Sequence, residues 1–301
     1  MADGAELQGR DLAAISVVVL VWGTNFVAMK IGLGYFTPFQ LGAGRFLFAF
    51  LPLALILRHP GAAPRWILAF GVAQGLGQFG LLFVALQVGM TAALASVLLQ
   101  VHVFFSAGLG VALLGETVGR PLKVGMLFAA AGLACFGASL AGSSVGVTAL
   151  GLVLTLGAAF MWAVSNIVVR LAQRDAKNFD ATSFVAWSAC VSVLPFLALS
   201  WCFDPPGASA NWANAPWQGW VALAFLGWIA TNLGYGLWTN LLRKYPASRV
   251  APFSLGVPLI GLGAGIVLLG ETIAPLQWAG AFLVLCALVC VVAGPRFSSR
   301  P

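Results

Sequence analysis

The sequence predicts an all-α integral membrane protein of ten transmembrane helices, arranged as two inverted five-helix repeats with both termini cytoplasmic. Three observations carry that expectation. Of the 301 residues, 61% are hydrophobic and 8% charged, whereas an ordinary soluble domain carries about 25% charged residues. The pentapeptide Leu-Leu-Gly-Glu-Thr occurs at 113–117 and again 155 positions later, at 268–272. Lys and Arg, finally, recur in every second short loop.

A helix needs roughly 20 apolar residues to cross about 30 Å of hydrocarbon, and within it every backbone polar group must be paired internally. Runs between Gly, Pro and charged punctuation give ten such segments, near 12–33, 38–57, 66–88, 91–114, 121–141, 148–171, 180–202, 217–241, 247–269 and 275–294. The first run is longer than the apolar core of a secretory signal and follows an acidic rather than basic stretch, so it is expected to be a retained span. The longest connection, Asp204 to Pro216, is too short for a soluble domain. The 36 glycines suit close helix contacts, with Gly71-x-x-x-Gly75 and Gly261-x-x-x-Gly265 as candidates.

Orientation follows from the basic residues, which are retained on the cytoplasmic side of short loops. Arg10, Arg58, Arg65, Arg120, Lys123, Arg170, Arg174, Lys177, Arg243, Lys244, Arg249, Arg296 and Arg300 are thirteen of the 15, and all fall at the termini or in alternate loops. The net charge of +7 is therefore a topology signal, and no basic patch points to nucleic acid. The five cysteines form no zinc-ligand spacing and read as packing residues. No cofactor or metal site is expected.

The duplication extends beyond the pentapeptide. Gly125 and Gly280 keep the offset of 155, and the pairs Trp22/Lys30 and Trp162/Arg170 share an eight-residue spacing. Repeats 1–143 and 144–301 then hold five spans each, joined through the Gly/Ser stretch at 141–147. An odd number makes the second enter from the opposite side, an arrangement secondary transporters use to place a substrate site at mid-membrane. Glu116 is expected at the cytoplasmic surface and Glu271 at the external one. Each either complements the positive end of the helix that follows it or forms a gating ion pair.

Polar side chains inside hydrocarbon need a protein partner or a wet cavity. Gln74 and Gln78 share a helix face, as do Trp162 and Asn166. Gln100 and His102 lie mid-span; Asn232, Tyr235 and Trp238 fall within about two turns, and Trp22 and Asn25 within one. If these faces converge, they line a chamber with amide donors and acceptors and aromatic walls, chemistry suited to a small zwitterion; the alternative is interhelical hydrogen bonding. Lys30 is explained by snorkelling to the outer headgroups. Arg45, about 10 Å inward from Pro38, is either a structural pair for a helix C-terminus or a carboxylate-attracting group near an outer vestibule. His102 is the mid-span group able to titrate near neutrality, either in proton coupling or as a neutral hydrogen-bonding imidazole.

The stretches VWGTNFVAMKIGL (21–33), Arg45-Phe46, ALASVLLQVHVFF (93–105), the two LLGE motifs, AAFMWAVSNI (158–167), Gly234-Tyr235-Gly236 and RVAPFSLGVP (249–258) resemble, in their order, the drug/metabolite transporter superfamily and its EamA-type bacterial exporters. The resemblance covers nearly the whole chain. The fourth-span stretch and RVAPFSL are most similar to exporters of cysteine and O-acetylserine, with aromatic amino-acid exporters as neighbours; His102 departs from the glutamine usual there. The resemblance implies a multi-pass protein of the bacterial inner membrane that exports amino acids or close derivatives, with the lipid bilayer and an amino-acid-like solute as partners and protons as a candidate coupling ion. Another small metabolite, such as a phosphorylated sugar or drug-like compound, and passive facilitation are the alternatives. An intramembrane enzyme is disfavoured, since no nucleophile elbow, zinc pair or carboxylate dyad is present.

Overall fold

The computed structural model describes residues 8–54, 56, 59–117, 119–141, 147–176, 178–245 and 247–298. Among these residues every regular element is helical, and nine helices are long and apolar enough to cross a bilayer. In chain order the long helices are α1 (Gly9–Leu33), α2 (Pro38–Ala54), α3 (Pro64–Gln87), α4 (Ala92–Leu114), α5 (Arg120–Ser139), α6 (Ala149–Asp175), α7 (Ala181–Phe203), α8 (Trp217–Lys244), α9 (Pro252–Leu269) and α10 (Pro275–Ser298). The nine exclude α2, which is described over 17 residues. The expected boundary at 143/144, the loop charges Arg58 and Lys177 and the terminal Arg300 lie outside the described residues.

Local sequence sets the helix ends. Thr91 and Thr148 accept hydrogen bonds from the backbone N–H of Leu94 (3.2 Å) and Gly151 (3.0 Å), and Asp180 does the same for Ser183 (2.8 Å); each satisfies a donor with no partner inside the helix. Helices α4 and α9 both finish on a left-handed glycine, Gly115 (φ 68°) and Gly270 (φ 65°), which any other residue adopts at a cost.

Two of the helices are not α-helical throughout. Gly71–Phe79 in α3 and Phe225–Leu233 in α8 are π-helical, a wider winding concentrated at functional sites. In the second, the Thr231 hydroxyl donates to the carbonyl of Leu226, five residues back (2.9 Å). The two segments stand 154 positions apart, and the tighter 3₁₀ turns Leu99–Val101 and Ala251–Leu255 are similarly displaced. Segments about 152–154 positions apart thus share the same irregular geometry.

Small residues set the helix contacts. Gly71 faces the Ser188 carbonyl and Val191 of α7, and Gly75 lies against Ser192; Gly261 and Gly265 lie against Ser96 and Ala93 of α4. Helices α5 and α10 cross where Gly132 meets the Gly280 backbone. By contrast, Cys190 and Cys202 are exposed, which corrects their reading as packing residues: they face outward on α7.

Three ion pairs gather at one end, where α1 and α3 begin and α4, α6 and α8 finish. They are Asp11–Lys244 (2.9 Å), Arg65–Asp175 (2.7 Å) and Glu116–Arg170 (2.9 Å). The Tyr245 hydroxyl also donates to Asp11 (2.7 Å), and that bond to a carboxylate holds the phenol above its ordinary pKa.

Candidate functional site

A cavity of about 360 Å³ lies among the helices, within the size range of small-molecule sites. Its wall combines Trp22 and Asn25 of α1, Arg45 of α2, Gln78 of α3, Gln100 and His102 of α4, Trp162 and Asn166 of α6, and Tyr235 and Trp238 of α8. Phe79, Ser254 and Leu288 complete parts of it. Residues from both sequence halves contribute, and among the described residues no Asp or Glu lines it.

One side is an aromatic cluster. The Trp22 indole N–H donates to the Ala230 carbonyl in the π-helical part of α8 (3.0 Å), and the ring packs on Tyr235 (5.2 Å between centroids) and Trp238 (5.6 Å). Gly234 permits this approach, because a Cβ there would stand 2.5 Å from Trp22 Nε1. Trp162 stacks on His102, with centroids 3.8 Å apart and planes 22° off parallel. Asn166, one turn on, donates to Ser106 Oγ (3.1 Å). Ser106 is itself one turn beyond His102, so α4 and α6 meet along one polar face.

Arg45 is 2% exposed. Its guanidinium carbon stands 3.8 Å from the Phe79 ring centroid and 5.9 Å from that of Phe46, and Nη2 donates to Thr231 Oγ1 at 3.3 Å. Nε and Nη1 have no partner among the described residues. Among the described residues Arg45 pairs with no helix C-terminus, and its place is on the wall of the chamber rather than in an outer vestibule. Asn25 Oδ1, Gln78 Oε1 and His102 Nδ1 are likewise buried without partners.

Two residues expected in the chamber lie elsewhere. Gln74 accepts a hydrogen bond from Ser165 Oγ beside a separate space of about 20 Å³, room for one water. Asn232 donates to the Ala49 carbonyl (3.0 Å) and ties α8 to α2. Both are polar contacts between helices, chemistry that residue type alone does not distinguish from substrate binding.

The end charges also need correction. Lys30 does not snorkel outward: its ammonium donates to the carbonyls of Leu86 (2.6 Å) and Met90 (3.2 Å), where α3 finishes, because a half-buried cation gains more from free carbonyls than from crossing apolar side chains. Glu271 does not serve the helix that follows it. Its carboxylate accepts from the N–H groups of Ala92 (2.7 Å) and Ala93 (2.8 Å), at the start of α4, because the left-handed turn at Gly270 carries the chain back over that helix. Glu116, at the opposite end of α4, accepts from Arg170 at 2.9 and 3.0 Å.

Sequence reasoning missed Phe79, the platform beneath Arg45, and Ser106, the partner of Asn166. An apolar run gives no sign of the first. The second was available from its four-residue spacing to His102.

With this geometry, the comparisons with known proteins are informative. The model of the EamA-like transporter family matches twice, over residues 11–138 and 149–293. The chain belongs to that family. It is 38% identical over 284 residues to a "Probable amino-acid metabolite efflux pump" of Salmonella typhimurium, covering 93% of this chain and 94% of that one. It is 35% identical to a protein of the same description from Escherichia coli, covering 96% of each. A "Probable terminal-alkyne amino-acid exporter" of Streptantibioticus cattleyicolor is 25% identical over 92% of each chain. A solved crystal structure superposes with a TM-score of 0.63 at 18% identity, over 97% of this chain and all of the other; that likeness concerns the fold. The chain is thus a multi-pass membrane transporter.

Proposed function

We propose that this transporter exports amino acids or close derivatives across the bacterial inner membrane, by alternating access around the central chamber. In this reading ten transmembrane helices form two inverted five-helix halves, 1–143 and 144–301, with both termini cytoplasmic. The end carrying the three ion pairs faces the cytoplasm, as the positive-inside pattern requires.

The observation that carries the reading is the composition of the chamber wall. Equivalent tryptophans of the two halves, Trp22 and Trp162, both line it, together with amides, an imidazole and one arginine. That set offers hydrogen bonds and apolar surface to a small polar solute without committing to one side chain. Efflux-pump relatives named for amino-acid metabolites agree with it. A phosphorylated sugar would call for several cationic groups, and Arg45 is the cation lining the chamber. His102 stacks on Trp162 and contacts no acid, which favours a neutral imidazole as chamber wall over a proton carrier.

Counterflow in proteoliposomes tests the proposal. Labelled cysteine, O-acetylserine, phenylalanine and leucine are offered to vesicles loaded with the unlabelled compound, and at least one is expected to accumulate transiently. Trp22→Ala and Trp162→Ala are expected to lower that signal at least tenfold with the protein still folded. Gly234→Ala, whose new methyl must displace the Trp22 indole, is expected to do the same. Counterflow of phosphorylated sugars with none of amino acids or analogues would overturn the assignment.

A further inference from the structure

Arg45 presents an electrostatic problem that the fold leaves unsolved. A guanidinium stays protonated in any protein environment, and removing it from water costs several kcal/mol unless a counter-charge and hydrogen bonds replace the solvent. What replaces water here is one long hydrogen bond to Thr231, at 3.3 Å, and the face of Phe79. A cation–π contact supplies about 2 kcal/mol when desolvated, less than the cost. Two of the guanidinium nitrogens have no partner among the described residues, and none of those residues brings a carboxylate to the chamber wall. A structural arginine in a membrane interior finds an acid or a row of carbonyls; neither is bonded to this one. A carboxylate on the solute would supply the missing counter-charge.

We propose that Arg45 anchors the carboxylate of the transported solute, and that its unmatched charge makes the chamber select solutes of net charge zero or minus one and reject those of net charge plus one. This rests on the exporter reading and narrows it. A carboxylate can take two parallel N–H donors from one guanidinium, Nε with Nη2 or Nη1 with Nη2; Nε and Nη1 are unpartnered among the described residues, and Nη2 keeps a second N–H beyond its bond to Thr231. For an ammonium the same wall holds neutral acceptors, Asn25 Oδ1 and Gln78 Oε1, joined by His102 Nδ1 when the imidazole carries its proton on Nε2, and the rings of Trp22 and Tyr235. These accommodate the ammonium of a zwitterion. They supply no negative charge for a second cation, so lysine and amino-acid amides would leave the chamber with two uncompensated positive charges.

The test is competition in the counterflow assay, using whichever labelled amino acid is carried. Three competitors are compared with the unlabelled parent: its 2-hydroxy analogue, which replaces ammonium by hydroxyl at nearly constant shape; its amide, which removes the carboxylate; and lysine. The hydroxy acid is expected to compete within threefold of the parent or better, and the amide and lysine at least tenfold worse. Arg45→Gln is expected to abolish the preference for acid over amide, and Arg45→Lys to restore part of it. An amide that competes within twofold of the parent overturns the proposal while leaving the exporter reading intact, as does an unchanged preference in Arg45→Gln. A hydroxy acid that competes tenfold worse overturns the charge rule. Should Arg45→Gln fail to fold, the comparison on the unaltered protein still decides. Failure of every amino acid and analogue to be carried overturns the exporter reading itself.

Discussion

Two copies of the same five residues meet the two ends of α4 in the same local geometry and serve different uses: 113–117 closes α4 itself, and 268–272 closes α9 against the start of α4. At both, a left-handed glycine closes the preceding helix, and the glutamate N–H donates 3.2 Å to the carbonyl six residues earlier, Gly110 or Gly265. Beyond that turn the ends diverge. Glu271 accepts from two backbone N–H groups of α4, and the nearby Lys30 is held by two carbonyls. Glu116 instead takes a side-chain partner, Arg170, with both side chains 43% exposed. A compact ammonium is satisfied by helix-end carbonyls, whereas a planar guanidinium reaches for a carboxylate. One motif sets the turn; the cations eight residues after Trp22 and Trp162 then differ, Lys30 bonding to carbonyls and Arg170 to the glutamate.

Substitutions at the two ends should separate them. The largest effect is expected from Glu271→Ala, which strips two charge-assisted bonds from the start of α4; each is worth about 1.5–3 kcal/mol, so detergent thermal melts should fall by roughly 3 kcal/mol of stability. Next comes Lys30→Gln, which removes the charge on the two carbonyls at the end of α3 and should cost about 1–2 kcal/mol after allowance for partial solvation. Arg170→Ala should cost less than about 1 kcal/mol, because an exposed pair is screened and pays side-chain entropy. Raising the salt concentration should shrink the Arg170 effect further and leave that of Glu271 nearly unchanged. An Arg170→Ala loss equal to that of Glu271→Ala would erase the distinction.

The helices were legible because a bilayer leaves the backbone few choices: the run expected at 180–202 is Ala181–Phe203, and that at 91–114 is Ala92–Leu114. Periodicity said nothing of the π-helical segments, since one residue more per turn has no compositional signature; the glycines at 71, 75 and 77 were the available hint. Within the chamber, Trp22 and Trp162 could be named because duplication points to them. Gln74 and Asn232 could not be separated from Gln78 and Asn25, because one turn of helix decides whether an amide meets a neighbour or a cavity. Arg45 was conspicuous as a charge, but that two of its nitrogens find no partner among the described residues is a three-dimensional fact.

The central claim is that one chamber opens in turn to each face of the membrane. It can be tested with a single cysteine at Asn166, on the chamber wall, in a protein whose five native cysteines are replaced by serine or alanine. Oriented vesicles of both polarities are treated with the impermeant anionic thiol reagent sulfonatoethyl methanethiosulfonate. Modification from either face, slowed by a transported amino acid, is the predicted result. Modification from one face alone under all conditions would contradict alternating access.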